Sequence, residues 1–129
     1  MTRRHDHGQS TVELALALPV VVVLMLAVVQ LALVLRDHQM VVHAAREAVR
    51  AAVVAAPGAR AEAADRAAAA AGPLDAARIT TSDEVLAGGD RLRVRVDYLS
   101  RTELPLIGPL VPDVSLSADA TMRIETIAG

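Results

Sequence analysis

From Leu14 to Leu35 the chain reads LALALPVVVVLMLAVVQLALVL, an apolar run with no charged side chain in it. That is about 22 residues, and at roughly 1.5 Å of rise per helical residue it extends about 33 Å, enough to cross the hydrocarbon core of a bilayer. A single membrane-spanning helix is the reading that length and composition favour. Pro19 and Gln30 interrupt the run, and both are tolerated in a lipid-embedded helix, where water or partner helices satisfy the few polar groups left over. A cleavable secretory signal fits less well, because the run exceeds the usual apolar length of such signals and no small-x-small cut site follows near Leu35 to His38. A buried helix of a water-soluble protein fits least. The remainder of the chain holds 1 Tyr, 0 Phe and 0 Trp, too little bulk to wrap such a helix.

The rest of the composition narrows function by exclusion. Its 13 basic and 15 acidic side chains nearly balance among 129 residues, so nothing suggests a nucleic-acid binder. With 0 Cys, disulfides, thiol catalysis and cysteine-ligated metals are ruled out. Arg3 and Arg4 precede the run, whereas the far side begins with Arg36 and Asp37 and has no further arginine until Arg46. This asymmetry predicts a cytoplasmic N-terminus and an extracytoplasmic C-terminal portion.

Taken in order, residues 1–8 read as a short polar leader ending in Gly8. Ser10 and Glu13 then have the S-x-x-E spacing of a capping box, in which each side chain satisfies the other residue's amide at a helix start. Glu13 would also meet the positive end of the helix dipole. Pro19 removes one backbone donor and should bend or loosen the helix near Ala15. Gln30 reads as a helix–helix hydrogen bonder or as a side chain wetted by the interface.

Beyond the run, Val41, Val42, Ala45, Ala48, Val49, Ala52 and Val53 recur at helical steps, with His43, Arg46, Glu47 and Arg50 on the other face. Helix should therefore continue as an amphipathic stem to about Ala56, where Pro57 and Gly58 stop it, so residues 9–56 form one unit of span and stem. Residues 57–129 read as a small α+β domain. Ala61 to Ala71 predicts a short helix, Ala77 to Thr81 a short strand, and Gly88-Gly89-Asp90 a hairpin turn. Leu92, Val94, Val96 and Tyr98 alternate with Arg91, Arg93, Arg95 and Asp97, the signature of a half-buried strand with a solvated outer face. Val114 to Glu125 alternates in the same way. An antiparallel sheet of about three strands should pack one face on the stem, giving an α+β fold with a long helix for a handle. Between the last two strands Leu104, Leu106, Ile107 and Leu110 lie among prolines and a glycine, an apolar loop suited either to packing over the sheet or to contacting a partner.

Gly8, followed by Gln9-Ser10-Thr11-Val12 and then Glu13 at the mouth of an apolar helix, resembles the processing site of prepilins and pseudopilins. More narrowly, Gly8, Val12 to Leu16 and Pro19, joined to Ala44-Ala45-Arg46-Glu47-Ala48 and Arg50-Ala51 after the run, are similar to the TadE-like family of tight-adherence (Flp-type) pilus assembly proteins. Leu14 departs from the pattern, since the family often has an aromatic residue there. The resemblance implies cleavage between Gly8 and Gln9 by a prepilin peptidase, and a role for Glu13 in setting register among pilin or pseudopilin subunits and the pilus secretion machinery. It also implies insertion in the bacterial cytoplasmic membrane, with membrane lipid as a partner. Once cut, the chain would carry an amino group on Gln9, and Gln9 and Glu13 share one helix face.

No catalytic arrangement emerges. His5 and His7 lie in the leader, His38 and His43 fall on different helix faces, and Ser100, Ser115 and Ser117 have no histidine nearby in sequence. Neither cofactor, metal, small-molecule substrate nor nucleic acid is expected, and the chain is read as a non-enzyme. The other reading kept open is an unprocessed, single-pass, membrane-anchored scaffold or binding protein of the envelope.

Overall fold

In the computed structural model, residues 6–102 and 112–124 are described, with side chains from position 11 onward. Helix α1 runs from Asp6 to Val54 without a break, through Gly8 and Pro19 and across the change from apolar run to amphipathic stem. This corrects the expected helix start. Ser10 lies inside the helix and is not its cap, because one interior glycine costs only about 1 kcal/mol and does not halt a helix that the following residues strongly favour.

The stem buries Val41, Ala44, Ala45, Ala48, Val49, Ala52 and Val53. Those positions advance by three and four residues, so they form one stripe along α1. Ala44 takes the buried place expected for Val42, which is half-buried. After a single 3-10 turn at Pro57–Ala59, helix α2 spans Arg60–Ala70 and sets Ala64 and Ala68 against the stem. Alanine on both facing surfaces lets the two helices approach closely; alanine buries little area per residue, so the proximity compensates only partly.

The first strand begins later and runs further than expected. Asp75 Oδ1 accepts from the Ala77 amide at 3.1 Å, while Asp75 Oδ2 pairs with Arg78 Nε at 3.1 Å. These contacts wind Ala76–Arg78 into a 3-10 turn and postpone strand β1 to Ile79–Val85. Strand β2 covers Arg91–Ser100 and strand β3 covers Val114–Arg123. The three form an antiparallel meander in the order β1-β2-β3, with Val96 opposite both Thr81 and Ala118. Leu92, Val94, Val96, Tyr98 and Leu116 point to the core, where α1 and α2 cover that face of the sheet. Asp65 on α2 accepts a hydrogen bond from Thr81 Oγ1, fastening the short helix to the edge strand. On the outer face Arg93 lies 3.8 Å from Asp119 of the neighbouring strand, the cross-strand pairing expected for that charged ladder.

The β1-β2 turn shows why two glycines stand together. Gly88 and Gly89 have φ of 106° and 72°, and the Gly89 amide bonds the Leu86 carbonyl at 3.0 Å. At Gly89 a methyl group would touch nothing within 4 Å, so only the backbone opposes a side chain there. Gly89→Ala is therefore expected to destabilise the sheet by about 1 kcal/mol, the order of the left-handed penalty for an L-residue. Thermal unfolding of the detergent-solubilised variant, followed by circular dichroism in the β region, measures it.

Candidate functional site: the membrane helix and its junction with the head

The exposed part of α1 divides by chemistry. Val12 through Leu24 and on to Val29 present large apolar side chains on every side of the helix. Within Thr11–Val54 one window reaches a mean hydropathy of 2.9, and 6% of it is buried by the rest of the chain. A helix this apolar on all faces is unstable in water but is at equilibrium in hydrocarbon. Gly8, Gln9 and Glu13 stand together in the first turns of α1, with Gln9 and Glu13 one turn apart. Glu13 is exposed, and among the described residues it has no ion-pair partner. Pro19 sits inside the helix without interrupting it. Leu104, Leu106, Ile107 and Leu110 lie outside the described residues.

Where lipid-facing helix gives way to protein-covered helix, two polar contacts tie the head to α1. Gln30 is only 7% exposed, and its Nε2 donates to Thr102 Oγ1 at 3.3 Å. Seven residues further along, Asp37 Oδ2 accepts from Ser100 Oγ at 2.7 Å, with Ser100 only 3% exposed. Gln30 thus bonds this chain's own head, in place of the second helix or the interfacial water expected for it. Its Oε1 is buried and has no hydrogen-bond partner among the described residues. The two contacts also show that β2 descends towards the apolar segment, ending beside Asp37, while its start at Arg91 lies at the opposite end of the strand.

The pairings at this junction are not legible in the sequence, because the partners are 72 and 63 positions apart. One signal was present. Ser100 continues the inward series Leu92, Val94, Val96 and Tyr98, and a hydroxyl at a core-facing position calls for a partner. Between the junction and α1 lies a cleft of about 190 Å³ lined by Leu33, Asp37, Arg78, Tyr98, Ser100 and Arg101. Among the described residues there is no group of three or more histidine, cysteine or acidic side chains placed to hold a metal ion.

Among the described residues one helix, at the N-terminal end, is long and apolar enough to cross a membrane, and it carries a two-layer α+β head on its amphipathic continuation, the architecture of a single-pass membrane protein. Residues 8–50 match the family described as TadE-like protein, the same family that Gly8, Glu13, Pro19 and the Ala44-Ala45-Arg46-Glu47-Ala48 run resemble, so this block of the chain is similar to TadE-like proteins. The match covers about a third of the chain and ends within the stem, before α2 and the sheet. No curated protein and no solved structure matches the chain significantly.

Removing the Ser100 hydroxyl leaves the half-buried Asp37 carboxylate without its described donor. Ser100→Ala is expected to cost about 1–3 kcal/mol, the desolvation penalty of an orphaned polar group. Amide hydrogen exchange should then quicken selectively at the C-terminal end of β2 and in α1 around Asp37.

Proposed function

We propose that this protein is a pseudopilin-like, minor subunit of a tight-adherence pilus, cut between Gly8 and Gln9 by a prepilin peptidase and acting through helix–helix assembly. The observation carrying this reading is the match over residues 8–50, which spans the glycine, the glutamate, the apolar helix and the start of the stem as one block. The continuity of α1 through that block supports it, since a rod fixed to the head transmits any displacement of the membrane segment to the whole subunit.

Cleavage generates an α-amino group on Gln9 one turn from Glu13. A carboxylate surrounded by apolar helices is costly when unpaired, so in an assembly Glu13 takes an amino terminus, its own or a neighbour's, as counter-charge and thereby pins the axial register. Pro19 contributes a point where one helical hydrogen bond is missing, easing withdrawal of the helix from the bilayer. The N-terminus is cytoplasmic before cleavage and the head is extracytoplasmic, and the apolar stretch of sequence around Leu106 and Ile107 is the part we assign to contact with other pilus components.

Mass spectrometry of the mature N-terminus tests the processing step. A chain starting at Gln9 is expected when the prepilin peptidase is present, and Gly8→Val should leave the leader attached; an intact start at Met1 or Thr2 in the wild type points instead to a permanently anchored scaffold. Glu13→Val is expected to insert normally yet to lose co-purification with the other pilus subunits. Wild-type recovery of those subunits with the variant would remove the register role.

A further inference from the structure

The length of the apolar run sets where the cleft beside the junction falls relative to a bilayer. Leu14 through Leu35 is about 22 residues, which as helix spans roughly 33 Å and fills the hydrocarbon core. Leu33 then lies about 3 Å inside its edge and Asp37 about 3 Å beyond it, where acyl chains give way to phospholipid headgroups. Leu33 forms the apolar floor of the cleft, and Asp37, Arg78, Ser100 and Arg101 supply its polar walls. Opposite charges therefore face one small cavity at headgroup level.

The existing contacts narrow the choice of ligand. Arg78 is shared with Asp75, and Asp37 Oδ2 is engaged by the Ser100 hydroxyl. Arg101 is exposed and is held in no ion pair among those described. The lining thus carries both signs of charge, two guanidinium groups and one carboxylate, which suits a ligand with one negative and one positive centre close together. An ethanolamine phospholipid is such a ligand: its phosphodiester oxygens accept from guanidinium groups, its ammonium donates to a carboxylate, and its glycerol and acyl chains run down past Leu33 along the exposed apolar helix.

We propose that the cleft formed by Leu33, Asp37, Arg78 and Arg101 is a binding site for the headgroup of an ethanolamine phospholipid, with Arg101 and Arg78 on the phosphodiester and Asp37 on the ammonium. The site rests on α1 occupying the membrane and is independent of whether the chain is cut after Gly8. It would hold the head at a constant height above the bilayer through a lipid as well as through Gln30 and Thr102.

Native mass spectrometry of the full chain, released from nanodiscs containing equal parts phosphatidylethanolamine and phosphatidylcholine, tests it. Phosphatidylethanolamine should be retained about tenfold over phosphatidylcholine, the scale of one charge-assisted contact. Arg101→Gln, at an exposed position, should abolish retention of both. Asp37→Asn keeps an acceptor for Ser100 but loses the charge, and should keep lipid bound while erasing the preference. Unchanged retention in Arg101→Gln, or no preference in the wild type, would overturn the site. Equal retention of phosphatidylglycerol in a parallel nanodisc would overturn the ammonium contact, and displacement of the lipid by millimolar inorganic phosphate would overturn the assignment to a lipid.

Discussion

A single uninterrupted helix must satisfy two different solvents, and the rest of the molecule is arranged around that requirement. Up to Val29 its apolar side chains face outward on all sides, where only hydrocarbon or other helices can cover them. From Val41 to Val53 the apolar residues contract to one stripe, and this chain supplies the cover itself. The sheet and α2 exist as a folded unit largely because that stripe is there. With one tyrosine for its only aromatic residue, the head has little bulk of its own, and its core is completed by the alanines and valines of the stem.

Between the two regimes the chain uses polar side chains to fix the head's position along the helix. Gln30 and Asp37 are two turns apart on α1, Ser100 is the last residue of β2, and Thr102 lies two residues beyond it. Two hydrogen bonds at different heights constrain both the sliding and the tilt of the strand against the rod, as one could not. They sit where water thins out, so each is worth more than it would be on a fully solvated surface. The Gln30 amide, whose Oε1 has no partner among the described residues, marks this boundary. A glutamine there is tolerable because it lies at the margin of the apolar segment and not in its middle.

The periodic segments were legible from the residues alone. The apolar run, the stem, the alanine-rich short helix, the double-glycine turn and the alternating strands all appear within about a residue or two of where their patterns end. The misreadings have local causes. Asp75 captures the next turn and delays β1, and the helix passes through Gly8 because a lone glycine is a weak stop when a long apolar helix follows. The motif residues Gly8, Gln9 and Glu13 were visible as a pattern, since their meaning lies in their spacing along one helix. The junction was not visible: nothing near Gln30 or Asp37 in the chain names Thr102 or Ser100 as a partner.

By itself, then, the order of amino acids determined the elements, the membrane segment and the family to which its first third is similar, because hydrophobic periodicity and short-range spacing are properties of neighbours in the chain. Only the tertiary structure decided which side of the stem is covered, that the C-terminal end of β2 is the end beside the apolar segment, and that Arg78 and Arg101 meet Asp37 in one cleft. Those facts depend on closing loops of more than sixty residues, and the direction in which such a loop closes is set by packing of the whole core rather than by any stretch of sequence.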